Sequence, residues 1–206
     1  MNKFDEDEEF PWPRKGDKLF TSEGSDWWNK ACLTQFSDGW WIYAAGYKLG
    51  ADLLVQYVTE THKNQDRLIY PIVFLYRQYL ELRLKELIKN GSTIIEESSD
   101  IPMHHDIFRL WVTCRKIFEN IWPDGDTDDL DSVEECIREF TKIDPSSTAF
   151  RYPVDKHGLP ALPETVTHIN IRNIGQVMQR LNSLLDGCDA AISNMLSWGP
   201  GQEDYV

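Results

Sequence analysis

The 206-residue chain is predicted to be all-α, a five-helix up-and-down type bundle with a short β-hairpin or extended insertion between the last two helices. Three observations predict this. Five apolar stripes recur at the three- and four-residue spacing that places side chains on one helix face. A proline-bearing stretch at 144–172 interrupts the last two of them. The length suffices for one domain with extensions, burying about two-thirds to three-quarters of the unfolded surface without a disulfide staple.

The first helix is expected over about 37–61, with Trp40, Tyr43, Ala44, Tyr47, Ala51, Leu54, Val55 and Val58 along one face. The second, 66–91, has the longest stripe: Ile69, Ile72, Val73, Tyr76, Leu80, Leu84, Leu87 and Ile88, with Gly91 as a natural stop. Across from that stripe stand Arg77, Glu81 and Lys85, four apart, where opposite charges pair for about 0.2–0.5 kcal/mol each. The third helix, about 102–121, carries Ile107, Leu110, Trp111, Cys114, Phe118 and Ile121 and ends before Pro123. Ser132 with Glu135 three residues on reads as a capping box opening the fourth, whose inward residues are Val133, Cys136, Ile137 and Phe140. Asn173 and Gln176 suggest a similar start for the fifth, with Val177, Leu181, Leu184, Leu185, Cys188, Ile192 and Met195 as its stripe. Between the fourth and fifth helices, prolines exclude a helix, and Asp155-Lys156-His157-Gly158 suits a turn. Residues 1–36 hold the acidic run 5–9, Pro11-Trp12-Pro13 and Trp27-Trp28. They read as an irregular acidic and aromatic N-terminal extension, packing its tryptophans as a strap. Residues 37–198 form the helical domain and 199–206 a flexible tail.

Cys32, Cys114, Cys136 and Cys188 are far apart and form no CxxC pair, as reduced thiols of a cytoplasmic protein would be. Neither a basic segment followed by an apolar run at the N-terminus nor an uncharged 18-residue stretch occurs, which argues against secretion and membrane spanning. The formal charge of −13 tells against wholesale nucleic-acid coating, which draws its affinity from clustered Lys and Arg. The charge is uneven: twelve acids face three bases over 96–135, whereas five bases face three acids over 66–89. An anion site is therefore expected near the second region.

Chemistry is expected at Arg151 and His157, six residues apart in FRYPVDKHG. Histidine titrates near neutrality and can shuttle protons, while the arginine fork can hold a phosphate, a pairing suited to metal-independent RNA cleavage. The same residues also fit a structural role, with Arg151 pairing to Asp144 or Asp155 and His157 exposed on a turn. His104-His105-Asp106 resembles a metal cluster only at first glance: neighbours on a helix point about 100° apart and no second ligand pair is present. These are read as polar residues at a helix N-terminus, with Asp106 favoured by the macrodipole. Asp124, Asp126, Asp128 and Glu135 match positions of a calcium loop, but Asp129 stands where glycine makes the turn and Asp131 where an apolar residue belongs. A solvated acidic loop is the reading. The phosphate-cradling, dinucleotide, serine-hydrolase and zinc-protease motifs are absent, so no metal or cofactor is expected.

Three segments, YPIVFLYRQYLELRLKELI at 70–88, HDIFRLW at 105–111 and FRYP at 150–153, resemble uncharacterised bacterial proteins of the HEPN-like superfamily (higher eukaryotes and prokaryotes nucleotide-binding). The resemblance covers about residues 40–198. It implies a helical bundle that forms a homodimer and acts on RNA as a metal-independent endoribonuclease of toxin or phage-defence systems. It also implies an active arginine and histidine a few residues apart, usually at a helix start. Arg151 and His157 match the spacing, whereas Pro153 and Gly158 place them in a loop. Inactive members of the superfamily are binding modules, so the alternative is a non-catalytic helical module engaging a protein partner.

Overall fold

The computed structural model describes residues 12–33 and 39–198, which belong to two compact units, Met1–Ser37 and Asp38–Val206. In the first unit the described chain is irregular apart from a 3-10 turn, Trp27–Asn29. There Trp27 and Trp28 meet edge to face, 6.1 Å between ring centroids, and both are largely exposed. The acidic run 5–9 and the tail expected at 199–206 lie outside the described residues.

The second unit is all-α, with five helices among its described residues: α1 (Trp40–Thr61), α2 (Gln65–Ile94), α3 (Ile107–Ile121), α4 (Asp128–Ile143) and α5 (Ile171–Trp198). α2 is the centre, packing against α1, α3 and α5, while α4 packs on α3 and α1 also meets α5. Its apolar stripe explains this position. Ile72, Tyr76, Leu80, Leu84 and Leu87 have no exposed surface, and each such side chain stabilises the fold by about 1.5–3 kcal/mol on burial. The turn from α1 to α2 spans only three residues, and His62 and Asn64 take left-handed φ values of 55° and 62° to make it. Asparagine tolerates that conformation better than most residues, and the His62 N–H still closes α1 on the Val58 carbonyl at 2.9 Å. None of the helices is long and apolar enough to cross a membrane, among the described residues.

Several local signals resolve differently from the sequence expectation. Gly91 does not stop α2, which runs on to Ile94; a Cβ at Gly91 would sit 2.5 Å from Ile117 Cγ2, so the glycine permits the close approach of α3. The capping box at Ser132 does not form. α4 begins four residues earlier, Asp126 Oδ1 accepts the Asp128 N–H at 3.0 Å, and Ser132 Oγ donates to the Asp128 carbonyl inside the helix. At α5 the cap is Asn170, whose Oδ1 accepts the Asn173 N–H at 3.1 Å. Cys114 is buried, Cys136 and Cys188 are half-buried, and these three form no disulfide.

Between α4 and α5 the chain is irregular, a run of turns and bends. The short β-hairpin considered there is not shown: no strand occurs among the described residues, and a single isolated antiparallel bridge joins Val154 to Pro160. Pro153, Pro160 and Pro163 supply no N–H to a ladder, so only short backbone contacts such as Asp155 N–H to the Leu159 carbonyl and Ala161 N–H to the Pro153 carbonyl flank the bridge, and side-chain bonds shape the rest. Asp144 Oδ1 accepts from the Thr148 and Ala149 N–H groups at 2.8 and 3.0 Å. This turns the chain so that Ala149 and Phe150 pack on Val73 of α2.

Candidate functional site

The polar ridge of α2 is not a solvated face. Arg77, Glu81 and Lys85 are only 2, 2 and 5 % exposed, because the loop before α3 and the turn after α4 bring their own polar groups to it. Glu81 is the hub. Its Oε1 accepts from Lys85 Nζ at 2.9 Å and stands 2.7 Å from His105 Nδ1, and its Oε2 lies 3.7 Å from Arg77 Nη1. Arg77 Nη2 donates to the His105 carbonyl at 3.0 Å, while its Nε faces Asp144 Oδ2 at 3.7 Å. Arg77 Nε and Nη1 make no hydrogen bond, so charge alone ties them to the two carboxylates.

Electrostatics follow from this geometry. Burial works against the Glu81 charge, but hydrogen bonds from Lys85 and His105 outweigh it and hold the carboxyl below its ordinary range. Burial lowers the Arg77 guanidinium from its usual value, opposed by Asp144 and Glu81 and reinforced by the neighbouring charge of Arg151. A buried charge is tolerated where it is paired, and here two acids, Glu81 and Asp144, flank Arg77.

His105 is held twice by α2, through its ring and its carbonyl, yet its side chain is 74 % exposed. It and His104 precede α3 instead of lying on it. Asp106 caps that helix, Oδ1 accepting from the Phe108 and Arg109 N–H groups at 3.0 and 3.1 Å. His104 is half-buried, its Nδ1 has no hydrogen-bond partner, and burial lowers its pKa.

Arg151 and His157, the residues singled out by spacing, occupy separate turns. Arg151 is exposed; its Nε donates to the Ser147 carbonyl at 2.5 Å, and its guanidinium stands over Phe74 and Tyr152, 5.8 and 5.6 Å from the ring centroids. It pairs with neither Asp144, which Arg77 takes, nor Asp155, which is occupied in its own turn. His157 is exposed, and its backbone N–H is accepted by Asp155 Oδ1 at 2.8 Å. The structure therefore places Arg151 against Phe74 of α2 and His157 at a separate turn, with no hydrogen bond between them.

His105 is the residue that sequence reasoning passed over. Its partner Glu81 lies 24 positions away, and only the buried setting of Arg77, Glu81 and Lys85 marks the ridge as more than surface charge. All three sequence segments noted above contribute to this one region: α2 supplies Arg77, Glu81 and Lys85, the loop before α3 supplies His105, and the turn after α4 supplies Arg151.

A second polar region lies across α2. A cleft of about 500 Å³ between α1, α2 and α5 is lined by Lys48, Asp52, Tyr79, Arg83, Asp186 and Asp189 among others. Its charges are paired with one another, Lys48 to Asp52 at 2.7 Å and Arg83 to Glu86, Asp186 and Asp189. Of the acidic run 124–135, Asp131 lies in the first turn of α4, tied to Arg115 at 2.6 Å, and Glu135 lies further along the helix. Among the described residues no group of three or more His, Cys, Asp or Glu side chains is gathered as a metal ion would need.

Comparison of the chain with protein-family models, with curated proteins and with solved structures finds no match.

Proposed function

We propose that the bundle is HEPN-like and works as a metal-independent endoribonuclease of toxin or phage-defence type, in the cytoplasm and as a homodimer. Arg151 holds the scissile phosphate through its planar fork, and His157 assists proton transfer while the RNA 2′-hydroxyl attacks. What supports this reading is that the three resembling segments converge on α2, two of them at the Glu81–His105 pair and the third with Arg151 exposed over Phe74, one turn from Arg77. The test is incubation of purified protein with structured and single-stranded RNA in EDTA, alongside Arg151→Ala and His157→Ala. The intact chain should leave 2′,3′-cyclic phosphate ends and both variants should lose activity; if all three behave alike, the reading falls.

A second reading, the non-catalytic interaction module, draws on α1. Trp41, Leu49, Leu53 and Tyr57 lie on a repeat of four and are 47, 60, 56 and 40 % exposed, a helix face of the kind that proteins bury against partners. Sedimentation of Leu53→Asp against the intact chain tests whether self-association uses this face.

A further inference from the structure

We propose that His105, positioned by Glu81, is the general base of this site, its Nε2 taking the proton of the attacking 2′-hydroxyl. The proposal rests on the endoribonuclease reading and moves the proton-transfer role given there to His157 onto a residue from a different part of the chain. Its basis is geometric. Among the described residues His105 has the one histidine ring bonded to a carboxylate, at 2.7 Å, and that carboxylate is 2 % exposed. A charged carboxylate can only accept a hydrogen bond, so Nδ1 carries a hydrogen and, in the neutral ring, Nε2 keeps the lone pair. Because Nδ1 points inward while the side chain is 74 % exposed, Nε2 is on the side open to a substrate.

The support behind the ring is rigid. Lys85 Nζ holds the same Glu81 oxygen at 2.9 Å, and Arg77 fixes the His105 backbone through its carbonyl at 3.0 Å. A base oriented by an acid that is itself held by other groups is the arrangement that proton transfer requires. His157, by contrast, is secured through its backbone alone, and His168 bonds only to the neighbouring Thr167 hydroxyl.

In the step itself the 2′-hydroxyl gives its proton to Nε2 while the 2′-oxygen forms a bond to phosphorus. The phosphorus–5′-oxygen bond breaks, and the electron pair leaves on the 5′-oxygen, which takes a proton from water. The resulting hydroxide then removes the proton from the His105 imidazolium. The products are a 2′,3′-cyclic phosphate and a 5′-hydroxyl, with no net change in the protein.

The experiment measures cleavage of a single-stranded RNA in EDTA by the full chain, His105→Ala and Glu81→Gln, with circular dichroism and melting to verify folding. His105→Ala should fold, since its ring is exposed, and its kcat should fall on the order of 100-fold or more with KM little changed. Added imidazole should restore part of the rate of His105→Ala and none of that of Arg151→Ala. Glu81→Gln, where folded, should lose kcat but keep KM. If the intact chain cleaves and His105→Ala cleaves equally fast, the general-base role is overturned while the endoribonuclease reading stands. A slow His105→Ala that imidazole does not rescue also overturns it, because a structural part is then sufficient. If the intact chain cleaves no RNA, the reading and the role fall together.

Discussion

The two faces of α2 carry similar charges and serve them differently. On one face Arg83 bonds to Glu86 at 2.8 Å, to Asp189 at 3.2 Å and to Asp186, and Tyr79 Oη donates to Asn182 at 2.9 Å. The side-chain partners of Arg83 and Tyr79 are on α2 or α5, so this set fastens those two helices. On the other face, Arg77, Glu81 and Lys85 meet one group from the loop before α3 and another from the turn after α4. Loops can present a side chain outward where packed helices cannot, and His105 is the result: a ring exposed to solvent with a buried carboxylate behind it. Ionic networks of comparable composition thus differ in use according to the kind of element that closes them.

That comparison can be broken first at its most buried charge. Arg77→Ala should destabilise the protein by about 3–5 kcal/mol, since it leaves the buried Asp144 without its cation and Glu81 with Lys85 and His105 alone; a denaturation midpoint near that of the intact chain would mean the Glu81 face is not held as described. Leu84→Ala, in the apolar seam at no exposure, should cost about 2–5 kcal/mol, and a smaller loss would show the seam relaxing around the cavity. Arg83→Ala should cost less, about 1–3 kcal/mol, because Asp186 and Asp189 are partly exposed and regain water.

Acid sharpens the contrast further. The folded-state carboxyl of Glu81 titrates below its ordinary value, so its contribution to stability is present above the ordinary glutamate range and is lost as pH falls through the folded value. Glu81→Gln should therefore flatten the acid limb of the stability–pH curve, as measured by urea unfolding; an unaltered limb would place the acid sensitivity elsewhere. The smallest effect is expected in the acidic loop before α4, where millimolar calcium should leave the melting temperature unchanged. A saturable rise abolished by Glu135→Gln would show a bound ion.

Much of the scaffold was legible in the chain. The stripes of α2, α3 and α5 fall at helical spacing and are largely buried as expected, Met195 at the end of α5 being the exception at 41 % exposure, because a helix with one apolar face has few other ways to remove it from water. Helix starts were less legible: Ser132 and Asn173 had the right chemistry, yet Asp126 and Asn170 made the bonds, since capping residues of similar type compete within a few positions. The Arg77–Glu81–Lys85 spacing was visible, but its burial was not, because the covering groups are far away in sequence.

By itself, then, the sequence determined the all-α class, the helix count and which helix carries the longest apolar stripe, all consequences of local periodicity. Only the tertiary structure decided which polar residues share a site. Glu81 and His105 are joined by a hydrogen bond between residues that no local pattern links, while Arg151 stands over Phe74 of α2 and His157, six residues on, is held in its own turn by Asp155. Helical periodicity is a property of neighbours along the chain, whereas a site is made by whichever loops the packed helices bring together.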